Sequence, residues 1–303
     1  MIRTPLGVPD GRFSFWKRTR STMKRPTWFA AAVGVAVLVS GGVAHAGAPF
    51  VGLDGVGGIA FNPLAYLAGT PTKDCFVAKP EVGMWYIGLC NSSIDWTTYG
   101  IATSLWKRVE VSYGFETVDI SKVDNVHKNT FGAKLLVVSE NANQTKWIPA
   151  ISLGAKRKNT SYSVGADTKS YGYDYYVVAT KLVTQLPVPV LLSVGAQSTK
   201  EEVTGVIGFN KERKIIHYGN IDFIPVSWLC VGAEYRSGPD YGASGGNYKD
   251  ADYFNLHAAY FASKQLSVAM AYTNAGKNTF NGGEGGSRLG FGGGYVLSIQ
   301  YAF

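Results

Sequence analysis

The feature that most constrains this chain is a period-two alternation that recurs from about Val82 to the last residue, Phe303. Val109, Val111, Tyr113 and Phe115 alternate with Glu110, Ser112, Gly114 and Glu116. Phe131, Ala133, Leu135 and Val137 alternate with Thr130, Gly132, Lys134 and Leu136, and Leu229, Val231, Ala233 and Tyr235 with Cys230, Gly232, Glu234 and Arg236. Leu266, Val268, Met270 and Tyr272 do the same against Ser267, Ala269, Ala271 and Thr273. Successive side chains of a strand point to opposite faces, so each run predicts a strand with one apolar face and one polar or small face. After the leader no apolar run approaches the ~20 residues of a membrane helix.

The links between runs alternate in length. Short ones lie near Leu105 to Lys107, Leu186 to Pro189, Pro225 to Ser227 and Ala262 to Ser263, with a somewhat longer one from Glu140 to Lys146. Long polar or Gly-rich ones lie near Asp119 to Lys128, Lys158 to Ser170, Thr199 to Lys214, Ser237 to Lys249 and Gly276 to Leu289. Short turns at one end and long loops at the other are the habit of a transmembrane barrel, and the hairpins add up to about 12 strands, with about 10 and 14 as bounds. The expected fold is therefore all-β: a transmembrane antiparallel up-and-down β-barrel over residues 81–303. In hydrocarbon every backbone polar group needs an internal partner, which for strands means a closed sheet.

Charge supports this once it is located. Arg3, Arg12, Lys17, Arg18, Arg20, Lys24 and Arg25 against Asp10 account for +6 of the formal +8, so the basic character belongs to the leader and does not point to nucleic acid. From Met23 the sequence has the parts of a cleaved signal peptide: Lys24 and Arg25, an apolar run from Trp28 to Val39, and Ala44-His45-Ala46 as the cleavage site. Residues 1–22 fit none of these parts and read as a misassigned upstream extension, with 23–46 the signal peptide. Residues 47–80 form an N-terminal segment that is a plug, an extra strand or a periplasmic stretch.

The last nine residues, Tyr295-Val296-Leu297-Ser298-Ile299-Gln300-Tyr301-Ala302-Phe303, resemble the terminal strand of Gram-negative outer-membrane barrels. The resemblance rests on Ile299, Tyr301 and Phe303. It implies an outer-membrane location, contact with outer-membrane lipid, and recognition by the barrel-assembly machinery. Gly52 to Tyr66 is also similar to the mature N-terminus of some uncharacterised proteobacterial exported proteins, which implies no activity.

On a barrel the remaining residues sort by face. Trp106, Trp147 and Trp228 fall beside short turns and, with Tyr301, are candidates for the aromatic girdle at the lipid–water boundary. Glu110, Glu116, Lys134, Lys156, Lys158, Glu234, Arg236 and His257, with Asp174 beside them, have polar-face parity and are the candidate pore-lining residues. In an open lumen they bias which ions pass; in a filled one they pair with each other. Cys75 and Cys90 are a candidate disulfide in an oxidising compartment, and Cys230 is a small lumen filler.

No cofactor or metal site is expected. His127, His217 and His257 are scattered, and Gly290 to Gly294 lacks the strand-then-helix setting of a phosphate loop. None of the histidines has a serine two residues away, as lipid-deacylating barrels would lead one to expect. The readings that remain are a passive channel for small solutes or ions, a plugged scaffold barrel, and a lipid-modifying enzyme. Nothing in the sequence fixes the oligomeric state.

Overall fold

The computed structural model describes residues 50–69, 75–90, 94–120, 125–162, 169–241, 249–276 and 288–303. The expected upstream extension and signal peptide lie outside them. Twelve strands form one closed antiparallel barrel. They are β1 Glu81–Leu89, β2 Ile94–Leu105, β3 Val109–Ile120, β4 Val126–Val138, β5 Ala150–Thr160 and β6 Tyr171–Val183, then β7 Val190–Glu201, β8 Phe209–Val226, β9 Leu229–Arg236, β10 Tyr253–Phe261, β11 Leu266–Ala275 and β12 Gly292–Ala302. Each pairs with its neighbours in sequence, and β12 closes on β1 from Tyr295 opposite Gly88 to Ala302 opposite Glu81. Closure leaves no edge with unpaired backbone groups.

The links at one end are residues 106–108, 139–149, 184–189, 227–228 and 262–265; at the other they are 90–93, 121–125, 161–170, 202–208, 237–252 and 276–291. The first hairpin, through 90–93, is short although it lies at the long-loop end. The expected loop from Thr199 to Lys214 shrinks to 202–208, because β8 runs eighteen residues and already pairs at Phe209 with Glu201. Trp106 and Lys107 turn the β2–β3 hairpin with φ of 51° and 55°, and Arg108 N–H bonds the Leu105 carbonyl at 3.0 Å. Two consecutive left-handed residues match the twist of the strands they join.

The alternation now has physical content. Ile101, Val111, Phe131, Leu135, Val194 and Ile215 face outward and are exposed, as are Tyr99, Tyr175 and Tyr272. Such a continuous apolar surface is far beyond what a water-soluble protein leaves uncovered, and hydrocarbon is the solvent it fits. Trp106, Trp147, Trp228 and Tyr301 are exposed at the short-link end or in the last strand. Trp106 stacks on Phe76 at 5.8 Å and Trp228 meets Tyr260 edge-on at 6.0 Å.

The expected Cys75–Cys90 disulfide is corrected: both thiols are free and exposed. Val77 bridges Leu105, and Trp106 N–H bonds the Phe76 carbonyl at 2.6 Å, which fixes Cys75 to the short-link end. Cys90 follows β1 directly at the other end. Nine residues of strand separate the two ends by ~30 Å, against the ~7 Å limit for a disulfide.

Candidate lumen site

Inside the wall lies a second layer of chain, residues 50–69. Two short strands, Phe50–Val51 and Gly57–Gly58, pair across a turn at Leu53 to Val56. A further turn bridges Gly58 to Pro63, with Ile59 N–H on the Asn62 carbonyl at 2.9 Å. This segment has too few internal bonds to satisfy its own backbone, and the wall supplies the rest.

Glu110 and Lys134 stand directly opposite each other on β3 and β4 and pair at 2.8 Å. Glu110 accepts from Gly57 N–H at 2.9 Å and Ala68 N–H at 2.7 Å. Lys134 donates to the carbonyls of Gly57, Leu64 and Tyr66 at 2.9, 3.1 and 2.7 Å. One cross-strand pair thereby closes residues 57–68 into a loop and uses every donor an ammonium has.

Across the lumen Glu234 of β9 accepts from Phe61 N–H at 2.8 Å and Asn62 N–H at 3.2 Å. Asn62 in turn donates to the Tyr235 carbonyl at 3.0 Å. Thr180 accepts from Ala65 N–H at 2.8 Å, Ser152 donates to the Ala65 carbonyl at 2.6 Å, and Trp85 donates to the Val51 carbonyl at 2.7 Å. Gln300 holds Val51 from both sides.

Glycines on the wall make room for this layer. A side chain at Gly114 would run into the backbone of Asp54 and Gly55, and one at Gly100 into Val51. Gly55 itself has φ of 84° and lies against the backbone of Tyr113 and Gly114. A residue with a Cβ fits neither that conformation nor that distance.

Nearer the long loops the charges bind one another. Lys156 holds Asp54 at 2.8 Å and Gln197 at 3.1 Å. Lys158 pairs with Asp174 at 3.3 Å and with Glu201, and Arg236 reaches the other Glu201 oxygen at 2.8 Å. Glu116 pairs with Lys128 at 3.0 Å, and Lys128 also donates to the Thr204 carbonyl at 2.8 Å. Burial raises the Asp54 carboxyl, but Lys156 and Lys158 outweigh it and hold it at about 2. A cavity of ≈ 30 Å³ lies among Asp54, Phe61, Trp96, Glu116, Lys128 and Arg236, room for about two waters.

Residues 202–208 fold inward over this network and bury Val203, Val206 and Ile207. The turn carries Val203 and Thr204 at φ of 48° and 57°, a conformation β-branched residues rarely take. It is held by Val203 N–H on Asp250 at 2.6 Å and by Thr160 on the Val206 carbonyl at 2.8 Å. Burial pushes the Asp250 carboxyl well up despite that N–H bond, and pushes Glu202 up against a hydrogen bond from Asn210.

The candidate pore-lining residues Glu110, Glu116, Lys134, Lys156, Lys158, Glu234 and Arg236, with Asp174, are all buried inside the barrel. Each is engaged with the inner segment, with another wall charge, or with both. His257 faces Asp222 with Nε2 at 2.6 Å and Asn255 with Nδ1 at 2.8 Å, and Asn255 continues to Glu234 at 2.5 Å. His127 and His217 lie exposed on the outer side, His127 beside Thr117 at 3.2 Å. Cys230 is buried 3.9 Å from Asp222. Sequence reasoning missed Asp54, Glu201, Asp222 and Gln197, whose strand parity places them inward or whose partners come from the inner segment.

Residues 47–285 match the model of a family described as "Protein of unknown function (DUF3034)". No curated protein matches the sequence. Among solved structures the chain is similar to the KdgM porin (12% identity, 74% of this chain and 99% of that one, TM-score 0.49). It is also similar to the NanC porin (10%, 74% and 100%, 0.47) and to the Acinetobacter baumannii outer membrane protein Omp33 (10%, 75% and 99%, 0.44). No residue role is carried across at such identities.

Proposed function

The chain belongs to the DUF3034 family, and we propose that it is an outer-membrane channel for small solutes or ions that residues 50–69 keep closed as a plug. The observation that carries this reading is where the wall spends its charge. Glu110, Lys134 and Glu234 are bound to main-chain N–H and C=O groups of the inner segment. A small barrel with no passage fills its lumen with wall side chains alone. Here a separate piece of chain, joined to the barrel only ahead of β1, lies within the lumen and binds the wall from Glu110 near the short links to Lys156 nearer the long loops. Its departure would leave a polar, charged wall suited to hydrated solutes.

A plugged scaffold is the second reading, favoured by the buried network of Lys158, Asp174, Glu201 and Arg236, which belongs wholly to the wall. Planar-bilayer recording separates the two. The native protein is expected to be silent or to open rarely, whereas deletion of residues 50–69, checked for folding by heat-modifiable gel mobility, gives long-lived current steps. A paired Glu110→Gln, Lys134→Met variant, which loosens the segment without removing it, is expected to raise the open frequency. A folded deletion variant that conducts nothing would sink the channel reading and leave the scaffold.

A further inference from the structure

The outer face of β5 to β8 gathers positive charge near the long-loop end. Arg157 on β5 stands opposite Tyr173 on β6. Lys169, just before β6, lies 5.9 Å over the Tyr171 ring. Lys200 on β7, with Lys211 and Arg213 on β8, extends the patch across four adjacent strands. Arg213 is fixed: its guanidinium donates to the carbonyls of Tyr173 at 2.9 Å and Ser198 at 2.8 Å and sits 5.2 Å from the Tyr175 ring. Lys200 donates to the Lys211 carbonyl. Glu212, between Lys211 and Arg213, is paired with Lys214 at 3.1 Å.

These cations border the apolar band. The same strands expose Leu153, Tyr175, Val177, Val194 and Ile215 to hydrocarbon, so the charges stand at the depth where acyl chains give way to headgroups. Among the described residues the patch is confined to one wall. At the same end β2 and β3 expose Asp95 and Asp119, directly opposite each other in register. Four strands at ~4.8 Å spacing span ~15 Å, wider than one phosphate. Guanidinium groups favour phosphate through paired N–H donors, and a rigidly held one loses little freedom on binding.

We infer that this face of the barrel binds a membrane lipid whose headgroup carries two or more phosphates, seated in the leaflet at the long-loop end. The inference rests on the outer wall alone and is independent of whether the lumen conducts. Adjacency to the hydrocarbon-facing tyrosines makes the occupant a lipid and not a soluble polyphosphate.

The test is native mass spectrometry of the detergent-solubilised protein titrated with bisphosphorylated lipid A, its monophosphoryl form, or inorganic pyrophosphate. The bisphosphorylated lipid should bind more tightly than the monophosphoryl form, with pyrophosphate failing to compete. Arg157→Gln with Arg213→Gln should weaken that binding about thirty-fold, as expected for two basic groups at an anionic headgroup. Asp95→Asn with Asp119→Asn should leave it unchanged. If the double arginine variant misfolds, Arg157→Gln alone keeps both carbonyl bonds of Arg213 and should cost about five-fold. Undiminished binding by the arginine variants, an equal loss in the aspartate variant, or equal affinity for both lipid forms would overturn the proposal.

Discussion

The two halves of the lumen use the same residue types for different work. Toward the short links, Glu110, Lys134, Thr180 and Ser152 bind the backbone of residues 50–69. Toward the long loops, Lys156, Lys158, Asp174, Glu201 and Arg236 bind side chains, and only Asp54 joins them from the inner segment. The first arrangement is specific to one occupant, because main-chain donors and acceptors come in a spacing set by that chain. The second is self-sufficient and would persist if the occupant left. The half near the short links is thus a receptor for the segment, and the other half is a constriction built into the wall.

The largest expected effect comes from breaking the receptor half at its centre. Glu110→Ala leaves Lys134 buried without its counter-charge, which costs ~3–5 kcal/mol, read as a fall in the urea midpoint of the folded barrel. It should also make residues 50–69 cleavable by added protease. Glu201→Ala takes the counter-charge from Arg236 and one of the two partners from Lys158, at a similar cost in stability, yet should leave 50–69 protected. Equal protease sensitivity in the two variants would erase the distinction between the halves.

Asp54 is the ion link between them, and pH probes it. Its carboxyl is held at about 2 against an ordinary 3.8. A depressed folded value means that its contribution is fully present above the unfolded value and is lost as pH falls through about 2. The contribution is about 2 kcal/mol, so stability between pH 4 and 2 should fall more gently in Asp54→Asn than in the native chain. Identical acid profiles would refute the link. The smallest expected effect is from Thr180→Val, which leaves the Ala65 N–H without its acceptor. A loss of ~1 kcal/mol with unchanged behaviour of the long-loop half would sharpen the comparison.

The barrel was legible in the sequence because its signal is local. Strand faces follow from residues two apart, and the pattern of Val109 to Glu116 states its own orientation. The same parity marked Lys134, Glu234 and Arg236 as inward. The inner segment was not legible, since Gly52 to Tyr66 has no period and the wall partners of residues 50–69 lie 34 to 249 residues away. The wall glycines Gly100 and Gly114 gave no signal of their own, yet they are the floor on which the segment rests. Charge misled in one place. The run from Thr199 to Lys214 looked like a loop, yet β8 continues through Lys211 to Arg213, whose charges clear the apolar band and need no turn. The disulfide failed because fifteen residues of separation hid a complete crossing of the wall.

That crossing gives the chain a property no single thiol would. Cys75 and Cys90 are free, exposed and at opposite mouths of the barrel. A charged maleimide that cannot cross a bilayer therefore meets one of them from each side, and the mass of the labelled peptide reports which way round the protein was inserted. The native sequence carries its own pair of sidedness markers, with Cys230 sealed in the interior as the unlabelled reference.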